Sequence, residues 1–535
     1  MTRNGGDVVV ETLTALGVSH VFGIPGQHAL GLFDAIRRSD LTFVSSRVEN
    51  NSAFGADGYS RATGEVGVLF LSTGPGALTA LGALQEAYAT GVPLLVIVSQ
   101  VPSAGLGLRR GMLHQLDDQQ RSAINVTKST AVVRHAAEIP SRVADAWSLA
   151  QSAPAGPTWV EIPQDVLLGP ADAPPVSSVV TTVVQRRPRA ELVDEAVALL
   201  SSAQRPVILA GGGVRRSSGG PEALVTLAEK VDAPVVSTVG GKGAIRFDHP
   251  LSAASWIEDR HTTALLEDAD VLVVVGTAMG EVTSNYFTFE PNGRLIHIDA
   301  ESRVLQANHP ALAIHADAAL ALAAITEKVA QRNSADGARI AADLRRSVQD
   351  RLAGQDVAAE LRLMDDLRAA VPAAAQTFWD MTIAGYWAWS AWDPQDGGFH
   401  SAQGAGGLGF GFPAALAAAI GTGARTLAVS GDGGAMYSIA ELATACQHDA
   451  DVTWLIVDDG GYGILREYMT DAFGTATATE LARPDFVSLA ASFGVPAHLA
   501  TLDTVGRIIA ETFTTRGPAV VVLPALLRMF APTHI

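Results

Sequence analysis

The chain has 535 residues, 48% hydrophobic and 17% charged, with a formal net charge of -18. That suits a globular protein of about three domains at ~150 residues each, and without a dense Lys/Arg run nucleic acid is not expected as a partner. The single cysteine, Cys446, excludes a disulfide framework and a Cys-rich metal site and reads as a buried helix residue. The N-terminus "MTRNGGDVVVETL" lacks the apolar core of a signal peptide. No apolar run reaches the ~18 residues that a spanning helix needs, so no membrane is expected and the cytoplasm is the expected location.

In chain order, β-type runs alternate with helix-like stretches. "GVLFLS", "PLLVIVS" and "TWVEIP" come early; "PVILAG", "PVVSTV", "VLVVVG" and "RLIHID" follow; "TLAVS", "TWLIV" and "AVVVLP" come late. Such alternation predicts α/β domains with doubly wound parallel sheets. A Pro- and Ser-rich stretch at 169–191 and a break near 351–360 cut the chain into thirds. The expected domains are 1–170, 186–345 and 356–535, each long enough for one such sheet.

Two acidic-and-glycine clusters end successive late strands: "GDGG" at 431–434 and "DDGG" at 458–461. In an open parallel sheet, ligands sit beyond the C-terminal strand ends. Glycines offer close backbone approach, and a helix expected to begin around Tyr437 adds partial positive charge suited to phosphate. Asp432 would repel bare phosphate unless a divalent cation lay between them. Magnesium takes both oxygen types, and Asp458 and Asp459 are placed to complete its shell. Either cluster alone reads as an ordinary surface turn; the pair reads as a magnesium–diphosphate site. The rival is "GAGGLG" at 404–409, a dinucleotide fingerprint with Asp432 downstream. It needs a strand before it, and "GGFHSAQ" is a poor one; it also leaves the second cluster unexplained.

The spacing of GDGG and DDGGYG resembles the diphosphate motif of thiamine-diphosphate (ThDP) enzymes. The resemblance covers the whole chain, with "STGPGAL" and "PLLVIVSQ" in the first domain and "GKGAIRFDHPL" and "IHIDAE" in the middle one. Together these segments resemble the group that contains acetolactate synthase, benzoylformate decarboxylase and benzaldehyde lyase. The resemblance implies ThDP and magnesium as cofactors, in a pyrimidine-binding, central and diphosphate-binding domain order. Asp432, the Asp459 side chain and the Gly461 carbonyl would hold the metal. Asp at 459, where the family has Asn, keeps the oxygen and adds a charge. "SSRVENNSAFGADGYSRATG" at 45–64 resembles the segment of the catalytic glutamate, which places that role on Glu49. Its carboxyl would promote the imino tautomer of the cofactor's pyrimidine. "GGLGFGFPAA" at 406–415 resembles the segment that bends ThDP, with Leu408 under the cofactor, Gly406 near its amino group and Met436 on its pyrimidine. Pro25, Gly74, Gly431, Gly433, Gly434, Tyr462 and Gly463 complete the implied cofactor contacts. As bare residues, Leu408 and Met436 read as core.

The family's chemistry is attack on a carbonyl, usually of a 2-oxo acid, with loss of carbon dioxide to an enamine that is protonated or attacks a second carbonyl. "FGIPGQHAL" at 22–30 resembles the loop facing the reacting carbon and puts His28 there. "GMLHQLDDQQ" at 111–120 matches the loop that supplies a Gln in acetolactate synthases; His114 lies at that position and Gln115 follows. These loops also resemble those of carboxyethylarginine synthase and 5-guanidino-2-oxopentanoate decarboxylases. The expected function is non-oxidative decarboxylation of a 2-oxo acid, with a polar or guanidino 2-oxo acid as the finer expectation. The alternative is acetolactate-synthase-like carboligation or benzaldehyde-lyase-like cleavage. Leu465 stands where pyruvate-decarboxylase-type enzymes carry a Glu, and "TAM" at 277–279 and Tyr468 replace the Arg-Phe and Trp of acetolactate synthases. FAD is therefore not expected. The family implies a homodimer at minimum and commonly a homotetramer. A non-catalytic binding protein on the same fold is the reading from another class, opposed by the presence of Glu49.

Overall fold

The uninterrupted apolar runs become strands buried on both faces: Leu94–Gln100 and Thr158–Pro163 are buried at every position. This is how the middle of a parallel sheet reads when helices cover both sides. A computed structural model describes residues 3–332 and 334–531. The first sheet comprises β1 (His20–Gly23), β2 (Thr42–Ser45), β3 (Gly67–Leu71), β4 (Leu94–Gln100), β5 (Ser129–Val132) and β6 (Thr158–Pro163), ordered β2-β1-β3-β4-β6-β5. The second comprises β7 (Pro206–Ala210), β8 (Val235–Ser237), β9 (Val271–Val275), β10 (Arg294–Asp299) and β11 (Leu312–His315), ordered β11-β10-β9-β7-β8. The third comprises β12 (Gln376–Trp379), β13 (Gly398–Ser401), β14 (Thr426–Gly431), β15 (Val452–Asp458), β16 (Ala497–Leu499) and β17 (Ala519–Pro524), ordered β13-β12-β14-β15-β17-β16. Pairing is parallel in all three, as the alternation predicts.

Two compact units divide the chain. One holds the residues up to Val183 together with 375–382 and 400–526; the other holds 184–374, 383–399 and the chain from 527 onward. The first unit contains the first sheet and nearly all of the third. They share a core in which Phe22, Phe54 and Trp159 cluster with Phe410, Phe412 and Trp454. Phe412 stacks on Trp454 with ring centres 4.0 Å apart. The helices Glu49–Thr63 and Gly411–Thr422 meet within this core. Gly58 lets them close up, because a Cβ there would overlap the Ala414 carbonyl. The second unit has its own core of aliphatic residues from β7, β9 and β10 and their helices.

Two local readings are corrected. β13 is a strand, so the segment before "GAGGLG" is better than its Gly-rich sequence suggested; edge pairing to β12 makes up for its weak propensity. Cys446 is exposed on the last turn of the helix Glu441–Gln447, its thiol 3.4 Å from the Phe493 carbonyl. The buried residues of that helix are Glu441, Leu442, Thr444 and Ala445, and Cys446 lies just past the edge of the face they form. Among the described residues no helix is long and apolar enough to cross a membrane.

Candidate active site

The expected site residues fall at the C-terminal ends of strands, in two groups within the first unit. The first group lies at the adjacent strands β2, β1, β3 and β4. The turn after β1 carries the exposed Pro25 and the buried His28; β2 leads to Glu49, the half-buried first residue of its helix. β3 leads to Gly74 and the helix Pro75–Thr79, and β4 to the loop with His114 and Gln115. These ends converge. The His28 and His114 rings meet edge-on with centres 5.7 Å apart. Gly74, at φ +65, backs directly on the His114 carbonyl, and a Cβ on Gly76 would lie 3.2 Å from a Glu49 carboxylate oxygen. Burial, and then the neighbouring His114, lower the His28 pKa below the usual imidazole range. His28 Nδ1 is buried without a hydrogen-bond partner among the described residues. A neutral imidazole with one nitrogen uncommitted is equipped to exchange a proton.

Gln115 is placed differently from the imidazoles. Its amide closes its own loop, donating to the Gly105 carbonyl at 2.8 Å and accepting from Met112 N at 3.1 Å. The residue that reaches the β3 end is Gln119, which the sequence reading did not single out. It accepts from Gly74 N at 2.8 Å and donates to Glu161 at 3.2 Å. Glu161 is buried and also receives Trp159 and Gln100. The available signal was the acid inside the apolar run "TWVEIP": a buried carboxylate demands partners.

The second group lies at the ends of β14 and β15. The helix Asp432–Ser438 begins at Asp432, five residues before its expected start, since an acid in a first turn is favoured by the helix dipole. Gly433 lies so close to Tyr462 that a Cβ would sit 2.7 Å from its ring, which brings the two acidic clusters together. Asp432 is 1% exposed, yet neither carboxylate oxygen has a hydrogen-bond partner among the described residues. One oxygen of Asp459 shares that condition. Burial, and then the charge of Asp432, push the Asp459 pKa up to about 6; burial, and then Asp458, raise that of Asp432. Like charges crowded together with carboxylate oxygens to spare fit a site built for a cation. No group of three or more His, Cys, Asp or Glu that could hold a metal exists among the described residues. Two carboxylates leave most of an octahedral shell to carbonyls, water and the oxygens of an anionic ligand, as a diphosphate would require.

Asp458 adds its charge to this pair and is itself held in an ion pair with Arg483 at 2.7 Å. The turn beyond it is pinned by Tyr462 N to the Thr479 carbonyl at 2.8 Å and by Arg466 to the Asp459 carbonyl at 3.1 Å. A cavity of about 540 Å³ adjoins it, lined by Asp458, Asp459, Arg466, Glu480 and Arg483 among others. Leu408 and Met436 are 37% and 46% exposed, so neither is a core residue. Asp380, at the end of β12, was missed by the sequence reading. It is buried, its pKa is pushed up to about 6 by that burial, and one oxygen accepts from Gly411 N at 2.8 Å. A Cβ on Gly434 would lie 3.0 Å from its other oxygen and 3.9 Å from Leu408. The dinucleotide reading of "GAGGLG" is answered by geometry: the amides of Gly404 and Ala405 donate to Glu86 and are not available to a pyrophosphate.

The crowding of Asp459 and Asp432 has a measurable consequence. A carboxyl that keeps its proton to a higher pH when folded makes folding less favourable as pH rises from about 4 to 6. Asp459→Asn is therefore expected to stabilise the metal-free protein at pH 8 by about 1 kcal/mol, allowing for solvent at this partly open site. At pH 4 it should have no effect. Thermal unfolding in chelator at both pH values measures this, and an unchanged midpoint at pH 8 would show that the pair is not strained.

Family profiles match three stretches of the chain. Residues 3–122 match the N-terminal TPP binding domain of thiamine pyrophosphate enzymes, 193–325 the central domain, and 380–523 the C-terminal TPP binding domain. Similarity extends to individual proteins. A probable 2-ketoarginine decarboxylase of Pseudomonas aeruginosa is 33% identical over 506 residues, 92% of this chain and 89% of that protein. The large subunit of acetolactate synthase isozyme 1 of Escherichia coli is 30% identical over 503 residues, 92% and 88% of the two chains. That of isozyme 2 is 29% identical over 534 residues, 96% and 94%. With the three segments present in order across most of its length, the protein belongs to the thiamine pyrophosphate (thiamine diphosphate) enzyme family, together with decarboxylases and acetolactate synthases.

Proposed function

We propose that the protein decarboxylates a 2-oxo acid non-oxidatively, with ThDP and magnesium at the strand ends, and that 5-guanidino-2-oxopentanoate is its substrate. The observation that carries this reading is the facing pair Asp432 and Asp459, whose unpartnered oxygens fit a divalent cation. Asp432, Asp459 and the Gly461 carbonyl are assigned to the metal. Pro25, Gly74, Gly406, Leu408, Gly431, Gly433, Gly434, Met436, Tyr462 and Gly463 are assigned to the cofactor. Bound there, ThDP supplies the electron sink that lets carbon dioxide leave. Glu49 holds the proton that activates the pyrimidine. His28, kept neutral by burial, moves a proton at Nδ1 as the aldehyde forms, with His114 beside it and Gln115 shaping the loop. Leu408 and Met436 offer an apolar bed.

The guanidino tail is supported by the two histidine loops and by the name of the 33% identical relative. On the holoenzyme, carbon dioxide release from 5-guanidino-2-oxopentanoate should exceed that from pyruvate by at least about tenfold in kcat/KM, the smallest ratio worth one specific polar contact. Turnover confined to another 2-oxo acid would remove the guanidino assignment. Release from none would remove decarboxylation. The second reading, carboligation or lyase-type cleavage, is supported by the acetolactate synthases at 29–30% identity. Acetolactate formed from pyruvate would favour it. We further propose domains at 1–170, 186–345 and 356–535, a cytoplasmic location, no FAD requirement, and a homodimer or homotetramer as the active form, which light scattering would test.

A further inference from the structure

The loop 402–410 links β13 to the helix Gly411–Thr422 and carries Gly406 and Leu408. Four of its nine residues are glycine, and Gly406 and Gly409 hold φ of +69° and +80°. Such a segment has no strong preference for one shape, so its order has to come from elsewhere. It comes from the N-terminal part of the same unit. Glu86, fully buried in the helix Leu81–Thr90, accepts from Gly404 N at 3.0 Å and from Ala405 N at 2.7 Å. Arg61 donates to Glu86 at 3.1 Å and to Asp57 at 2.5 Å. It also reaches the Ser401 carbonyl at 3.4 Å, and its guanidinium lies 5.2 Å from the centre of the Phe410 ring. One buried ion cluster thus touches both ends of the loop and its first turn.

The charge balance makes the contact hard to replace. Two carboxylates share one guanidinium away from water, which leaves carboxylate oxygens of the cluster in need of further partners. A buried charge of that kind depends on donors, and the amides of Gly404 and Ala405 supply two. Both ends of this exchange therefore favour one loop shape.

We propose, resting on the assignment of Gly406 and Leu408 to the cofactor, that Glu86, held by Arg61, is the positioning residue that presets the 402–410 loop and thereby the seat of the cofactor's pyrimidine. The metal half of the site is built on other strands, so Glu86 should govern one part of the cofactor and leave the other alone.

The test is Glu86→Gln in the full chain with excess magnesium, titrated separately with ThDP and with inorganic pyrophosphate. Glutamine keeps the volume but turns an N–H donor toward the loop amides or toward Arg61. ThDP affinity should fall by about tenfold to a hundredfold, the scale of charge-assisted hydrogen bonds. Pyrophosphate affinity should not change, and the near-ultraviolet circular dichroism of bound ThDP should be altered. Unchanged ThDP affinity, or an equal loss for both ligands, would overturn the positioning role while leaving the cofactor reading intact. Wild-type protein that binds pyrophosphate but not ThDP would overturn the cofactor reading itself. Should Glu86→Gln not fold, Glu86→Asp, which keeps the charge but withdraws it, replaces it; a smaller but still ThDP-selective loss supports the proposal, and no selectivity sinks it.

Discussion

Glu49→Gln lowers kcat by about 10²–10⁴-fold, the contribution of a positioned acid–base group, while ThDP and magnesium still bind. The carboxamide keeps the shape of Glu49 beside Gly76 and can still form a hydrogen bond, but it cannot give up or take a proton. A loss confined to proton movement should appear equally in kcat and kcat/KM. Steady-state kinetics paired with calorimetric ThDP binding separates the possibilities. An unchanged rate would remove Glu49 from catalysis. Lost binding with normal turnover at saturation would make it a holding residue instead.

Asp432→Ala abolishes magnesium-dependent ThDP binding, a larger loss than the ~10–100-fold typical of residues that merely support a metal ligand. The same change should stabilise the metal-free protein near pH 8. It removes a buried carboxylate without partners and relieves Asp459 of a like charge. Binding and stability therefore move in opposite directions, which a general folding defect cannot produce. Calorimetry of metal-stripped protein with and without magnesium reads the first effect, and thermal unfolding reads the second. A variant that binds as tightly as wild type would take Asp432 out of the metal site.

The parts of this site that were legible in the sequence are those where chemistry interrupts a pattern. Asp432 and Asp459 end apolar runs and are followed by glycines, so strand, turn and acid could be read together. The parallel sheets were legible for the same reason: β4 and β6 are apolar throughout rather than alternating. Gln119, Glu161, Glu86 and Asp380 were not, because each acts through partners distant in sequence. Glu86 meets residues more than three hundred positions away. Asp458 and Asp459 were indistinguishable as neighbours; the partner that tells them apart, Arg483 on Asp458, lies 25 positions on. Cys446 was misread because composition ranks cysteine as buried while helix phase put it outside. The role of β13 was obscured because its stability is supplied by pairing rather than by its own residues.

The core shared by the first and third sheets also bears on how the chain is made. Phe54 packs against Phe410 with ring centres 5.5 Å apart, yet the two are separated by a second unit with a core of its own. During synthesis from the N-terminus, the residues up to Val183 emerge with their hydrophobic face unmatched. The aliphatic core of the second unit, drawn from residues 193–329, can condense on contacts that are nearer in sequence, whereas the first must wait for its complement to be translated. Closing so long a loop costs little extra free energy, since that cost grows only with the logarithm of length. What it costs is time with apolar surface exposed, and that interval is where aggregation and chaperone engagement should concentrate.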